Sequence, residues 1–173
     1  MHILIIKNFY GFFMLNFSSI LHERPQANAL LKGSQEYPTL EAIAYFYQTN
    51  MGALVSIEAV NLPTTYAPCT TPIFALHLHS GDSCTGNDVD PFANALTHYN
   101  PSNCPHPYHS GDMPPLFGNN GYAFLAFLTD RFTVQEIIGK TLVVHGNRDD
   151  FTTQPAGDSG KKIACGVIQK LNK

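Results

Sequence analysis

The chain has 173 residues, 44% of them apolar and only 13% charged, and ten Lys and Arg against thirteen Asp and Glu leave a net charge of −3. That is apolar matter enough for a buried core and excludes wholesale disorder, while the acidic balance gives no basic footprint for nucleic acid. No run of about 20 apolar residues exists, so no membrane-spanning helix is expected, and 13 Gly with 12 Pro punctuate the chain too often for long helices.

Residues 1–25 read differently from the rest. Ile3 to Ile6 and Phe9 to Phe17 are apolar, but Lys7, Asn8 and Asn16 interrupt them. A secretory signal places its positive charge before a clean apolar run, so this segment matches one poorly, which favours a cytoplasmic over a secreted location. It is expected to be an extension, disordered or loosely docked, or a start placed too early with Met14 an equal beginning. The domain is expected over 26–170.

From about Ala27 the pattern becomes short strands between turn signals. Leu40 to Tyr47 puts Leu40, Ala42, Ala44 and Phe46 on one face. After a turn at Asn50 to Gly52, Ala53 to Val60 alternates again. Further strands are predicted over Ile73 to His79, Tyr122 to Leu128, Lys140 to His145 and Lys161 to Ile168. Period-2 segments with no 3.6-residue stripe argue for an all-β antiparallel sandwich or barrel. Two long loops, Ser80 to Gly121 and Gly146 to Gly160, break the rhythm, and ordered loops of that length are usually functional.

The histidines gather around those loops. His77 and His79, at i and i+2 of a strand, share one face, while Leu76 and Leu78 point to the core. His98, His106, His109 and Asp112 follow at spacings of eight, three and three, and His145 closes a strand. Imidazole suits copper and zinc, and a mixed His/Asp tetrahedral set favours zinc. These seven candidate ligands are one fewer than two separate four-coordinate sites need. One imidazole bridging through both ring nitrogens closes the gap, so the count hints at a binuclear site.

At this point the motifs Ala75-Leu76-His77-Leu78-His79, Thr97-His98-Tyr99-Asn100-Pro101, His109-Ser110-Gly111-Asp112-Met113-Pro114, Gly139-Lys140-Thr141-Leu142-Val143-Val144-His145 and Ala164-Cys165-Gly166-Val167-Ile168, in that order, resemble the copper/zinc superoxide dismutase family. The resemblance implies an eight-stranded Greek-key β-sandwich, an architecture attributed to that enzyme in general, with a long zinc loop and a shorter electrostatic loop. It implies copper ligands His77, His79, His98 and His145, and zinc ligands His98, His106, His109 and Asp112, with His98 as the bridging imidazolate. Asp149 matches the aspartate that hydrogen-bonds a ligand from each metal, and such bonds fix ring tautomers and orientation. Cys84 and Cys165 match the intrasubunit disulfide, in a chain whose four cysteines are too few for a disulfide scaffold.

The implied activity is dismutation of superoxide, the substrate, to oxygen and hydrogen peroxide by a redox-cycling copper. His98 would leave copper on reduction, take a proton and pass it to the product. Two departures stand out. His106 and His109 are closer together than the family usually has them, so the zinc loop is trimmed. Lys162 stands where the family carries an arginine facing the copper channel, and a mobile point charge replaces a planar fork of donors. Lys162, helped by Lys161, is expected to draw the anion in. Cys69 and Cys104 are expected to form a second disulfide, or else to be two free buried thiols. The competing readings are a non-catalytic metal-binding relative and a zinc-only interaction domain. A homodimer is left open.

Overall fold

The computed structural model describes residues 17–64 and 72–172. The apolar stretch up to residue 16 and Cys69 lie outside those residues. Nine strands form: β1 (Ala27–Gly33), β2 (Glu41–Thr49), β3 (Gly52–Val60), β4 (Ile73–Phe74), β5 (Leu76–His79), β6 (Leu116–Phe117), β7 (Ala123–Thr129), β8 (Thr141–His145) and β9 (Lys162–Lys170). Among the described residues helix is confined to short turns, α1 (Phe17–Ile20), α2 (Val134–Ile137) and a 3₁₀ turn at Ala93–Ala95. α2 carries a full capping box between Thr133 and Glu136, which satisfies two backbone donors at its start.

Seven strands make one antiparallel sheet in the order β5-β8-β9-β1-β2-β3-β7, and β4 pairs with β6 apart from it. The chain therefore crosses twice between the sheet's two ends, from β3 to β5 and from β7 to β8, as a Greek key requires. The sheet curls around one core. Ala42, Ala44 and Phe46 of β2, Ala53, Val55, Ile57 and Ala59 of β3, and Leu76, Leu78, Leu142 and Val144 of β5 and β8 are all buried in it. These are the alternate positions the period-2 pattern selects.

Three elements differ from the expectation. β1 has no counterpart among the strands predicted above, although Ala27, Ala29 and Leu31 face inward; its alternation is written in small residues and an asparagine, which carry little β-propensity. The short β6 is also additional. The strand predicted over Ile73 to His79 divides at Ala75, whose two halves pair with different partners, Ile73–Phe74 with β6 and Leu76–His79 with β8. That division raises the strand number from eight to nine and leaves the fold class unchanged.

Two hydrogen bonds tie residues 17–25 to the ends of the sheet's inner strands. Tyr47 Oη donates to Leu21 O at 3.4 Å, and the Arg24 guanidinium bonds Asn172 O.

Candidate metal centre

β5 is buried on both faces. Leu76 and Leu78 enter the core, and His77 and His79, 0% and 2% exposed, face the loop that follows. That loop adds itself to the free edge of β5. Leu78 N donates to Gly111 O and Tyr99 N to Leu78 O, at 2.9 and 2.8 Å, so that His77 lies opposite Asp112 and His79 opposite His98. The approach is close enough that a Cβ on Gly111 would sit 2.2 Å from Leu78 O, so only glycine fits there. Backbone pairing thus brings residues about twenty to thirty-five positions apart in sequence onto one metal-sized spot.

One ligand atom from each of His77, His79, His98 and His145 lies within 4.8 Å of the others, and the same holds for His98, His106, His109 and Asp112. His98 belongs to both sets. The sequence-predicted ligands are therefore all brought together, and all seven are buried.

Hydrogen bonds decide which ring atoms face inward. His79 Nδ1 donates to Leu96 O at 2.9 Å and His145 Nδ1 to Gly160 O at 3.2 Å. Each ring then carries its lone pair on Nε2, and those two nitrogens face each other at 3.2 Å. Two lone pairs at that distance repel unless a cation lies between them. Likewise His77 Nε2 is committed to Asp149 Oδ2 at 2.7 Å, leaving His77 Nδ1 buried with no hydrogen-bond partner, as is His98 Nε2. In the second set, His109 Nδ1 stands 3.3 Å from His98 Nδ1 and 3.3 Å from Asp112 Oδ1. His106 Nδ1 lies 3.1 Å from Asp112 Oδ2 but out of hydrogen-bond alignment, and it too is buried without a partner. Ligands about 2.0 Å from a tetrahedral ion sit roughly 3.3 Å from one another, which is the spacing seen here. Orphaned, inward-facing nitrogens at that spacing fit two metal ions.

The electrostatics agree. Burial lowers the pKa of His79 well below its usual 6.5 and that of His145 to about 3. Burial also lowers His77, against an opposing hydrogen bond from Asp149, and lowers His109. Neutral imidazole is the metal-binding form. Burial pushes Asp112 upward, but hydrogen bonding to His98 and the nearby His98, His106 and His109 outweigh it and keep the carboxyl ionised.

Asp149 joins the halves. Its Oδ2 takes His77 Nε2 at 2.7 Å and its Oδ1 takes His106 Nε2 at 2.9 Å, with Phe151 N–H donating to Oδ1 at 2.7 Å. A Cβ on Gly157 would lie 1.9 Å from Asp149 Oδ1 and 2.8 Å from His106 Nε2, so a glycine with φ of +67° makes room for the bridge.

The disulfide between Cys84 and Cys165 is formed, with a Cα separation of 5.6 Å. Cys104 carries a free, half-buried thiol. It therefore does not form the second disulfide expected from the sequence, whose other half, Cys69, lies outside the described residues. The loop holds Cys104 through its backbone instead, since Asn100 bonds both its N–H and its carbonyl.

Lys162 pairs with His145 across β8 and β9 at the bulge there, and its charge is among those depressing His145. It is not free, because Nζ donates to Asp90 Oδ2 at 2.5 Å and to Phe92 O at 3.2 Å. Lys161 is turned to the exposed Glu36 at 3.5 Å. Asp90, Gln154 and Arg131 are site neighbours that the sequence reading missed. The Gln154 amide brackets His106, accepting from its N–H at 3.0 Å and donating to its carbonyl at 2.7 Å. Such contacts span 48 residues of sequence and carry no local signal. Among the described residues, no helix is long and apolar enough to cross a membrane.

A family model described as copper/zinc superoxide dismutase (SODC) matches residues 41–168. Superoxide dismutase [Cu-Zn] 1 of Aquifex aeolicus is 35% identical over 141 residues, covering 73% of this chain and 78% of that protein. The superoxide dismutase [Cu-Zn] of Deinococcus radiodurans is 33% identical over 147 residues, covering 75% and 77%. Among solved structures, the Cu/Zn superoxide dismutase from Brucella abortus superimposes with a TM-score of 0.69 at 24% identity, over 83% of this chain and 99% of that one, a likeness of fold.

Proposed function

The chain belongs to the copper/zinc superoxide dismutase family, and we propose that His77, His79, His98 and His145 hold its copper and that His98, His106, His109 and Asp112 hold its zinc. It is an oxidoreductase that converts two superoxide ions and two protons to oxygen and hydrogen peroxide, with copper and zinc as cofactors. The observation that carries the ligand assignment is the shared ring of His98, whose Nδ1 lies 2.8 Å from Asp112 Oδ1, whose buried Nε2 has no partner, and which belongs to both sets. The domain spans 26–170, supported by β1 beginning at Ala27 and β9 ending at Lys170.

When bound, copper would supply the one-electron couple and zinc a fixed positive charge. The protein does the rest. Asp149 and the carbonyls of Leu96 and Gly160 hold four rings, those of His77, His106, His79 and His145, at fixed tautomers, so the ligand atoms need no reorganisation. His98 is the one ligand with a second role. With Nδ1 held on the Asp112 side, its Nε2 can take up a proton when it is not a ligand and give it to the peroxide. Lys162 places a cation beside His145 and attracts the anionic substrate despite the net negative chain, and Asp90 moderates that attraction by pairing with it.

Metal analysis with a superoxide dismutation assay on protein loaded with copper alone, zinc alone and both tests this. Activity is expected only where copper is present, and one equivalent of each metal is expected in the doubly loaded protein. Full copper loading without dismutation would leave a non-catalytic metal-binding domain.

A further inference from the structure

The ligands of the two halves are not equally supported. His77, His79 and His145 sit on strands, and His98 is paired to the edge of β5. His106 is bracketed by Gln154 and Asp149. His109 lies in irregular chain three residues after His106, and Asp112, three residues further on, is bridged to His77 at the edge of β5. Within this stretch, the hydrogen bond from His109 N to Asp112 Oδ2 at 2.9 Å is internal and fixes nothing to the scaffold.

Beyond the pairing of Asp112 with β5, one side chain ties this stretch to the turn after β7. Arg131 sits in the turn after β7, with its N–H bonded to Thr129 Oγ1 at 3.2 Å. Its Nη1 reaches across to three backbone carbonyls, Pro107 O at 3.1 Å, His109 O at 3.1 Å and Asp112 O at 3.4 Å. Two of those carbonyls belong to ligands themselves and the third directly follows ligand His106. Three carbonyl dipoles turned toward one point repel each other, and a delocalised cation at that point offsets the repulsion. Among the described residues Arg131 has no carboxylate partner closer than an ion-pair distance, so its charge is directed at this loop.

We propose that Arg131 is a positioning residue for the zinc half of the centre. It touches no substrate and no metal. It fixes the backbone on which His106, His109 and Asp112 stand, and it thereby determines how tightly a divalent cation is held there while leaving the strand-borne copper half alone. The proposal rests on the reading that His98, His106, His109 and Asp112 are the zinc ligands.

The test uses the full chain loaded with copper and zinc, with each metal's affinity measured by chelator competition and cobalt(II) substituted at the zinc position as a spectroscopic reporter. Loss of outer contacts to ligands typically costs 10–100-fold in metal affinity. Arg131→Met is expected to weaken zinc by roughly that factor, to shift the cobalt absorption, and to leave copper affinity within about threefold. Arg131→Lys, which keeps the charge but loses the planar fork, is expected to fall between the parent and Arg131→Met. Zinc affinity in Arg131→Met equal to the parent's overturns the proposal, and so does an equal loss of zinc and copper, which marks a general structural role. Should Arg131→Met not fold, Arg131→Lys decides, and zinc binding and a cobalt spectrum identical to the parent's overturn it. The underlying reading has its own control: His109→Ala must lower zinc stoichiometry, and if it does not, the zinc assignment fails whatever Arg131 does.

Discussion

The two halves of the metal centre are built by opposite means. The half we propose for copper stands mainly on β5 and β8, where the pleat sets His77 beside His79 and ladder hydrogen bonds carry His145 to meet them. The half we propose for zinc stands on loop, where the ligands need props: Gln154 for His106, Arg131 for His109, Arg131 with the edge of β5 for Asp112, and the edge of β5 for His98. A strand provides precision through its own periodicity, whereas a loop must gather it from long-range contacts. His98 and Asp149 are what make the two halves one site.

The largest effect is expected where the halves are joined. His98→Ala removes the imidazole common to both sets, so both metals should be lost together and dismutation should fall more than about 100-fold, beyond the cost of losing an outer contact. Metal stoichiometry read alongside activity checks this. Retention of both metals would mean the halves are independent sites.

Acid should separate the halves by their burial. A histidine whose folded pKa is depressed stabilises the fold above its unfolded pKa of 6.5, and that stability is lost as pH falls toward the folded value, because the unfolded chain then binds more protons. His145, lowered to about 3, and His79, lowered well below 6.5, both belong to the copper half. Metal-stripped protein should therefore lose thermal stability steadily from about pH 6.5 down to about pH 3, the folded value of His145. His145→Gln should flatten that slope more than His109→Gln does. An equal slope in both variants would remove the distinction.

How much of this was legible beforehand follows the same division. His77, His79 and His145 declare themselves through strand periodicity, and the core alternation of β2 and β3 does likewise. The ligands of the zinc half are legible only as a cluster of metal-binding residue types and through family motifs. Their supports are not legible at all, since Arg131 reads as an ordinary surface charge and Gln154 as a loop residue. Lys162 is singled out by the family motif, but Asp90 lies 72 positions away, and nothing local announces that it holds the lysine. Nothing in the sequence decides between a second disulfide and free thiols at Cys69 and Cys104, and in the structure Cys104 is free.

Next in size are effects on substrate capture, which should concern the copper half only. Lys162→Glu should lower activity roughly tenfold at low salt and flatten or reverse its decline with added salt, since such attraction is screened over about 10 Å at 0.1 M. Lys162→Arg should match or exceed the parent, and Asp90→Asn, by releasing the lysine, should steepen the salt dependence. Stopped-flow rates across ionic strength read all three, with zinc affinity unchanged throughout. Identical rates in the Lys, Arg and Glu proteins would remove Lys162 from the account.

The smallest effect sharpens the comparison from the copper side, where even one prop is strained. Leu96, whose carbonyl receives His79 Nδ1, has φ of 63° and ψ of −142°, a region close to glycine-only territory that costs about 1–3 kcal/mol for other residues. Its side chain is 56% exposed, so little packing offsets that cost. Leu96→Gly should leave copper binding intact and raise stability by up to about 1 kcal/mol, the relief of strain less the added chain entropy of glycine. Denaturant midpoints measure it, and a clear loss of stability would mean the backbone there is unstrained.

The central claim is that one buried ring, His98, lies between two different metal ions. Anomalous diffraction at the copper and zinc edges from crystals of the doubly loaded protein tests it most directly. The account predicts copper on the Nε2 side of His98 among His77, His79 and His145, and zinc on the Nδ1 side among His106, His109 and Asp112. A single ion, or two ions that do not share His98, would contradict it.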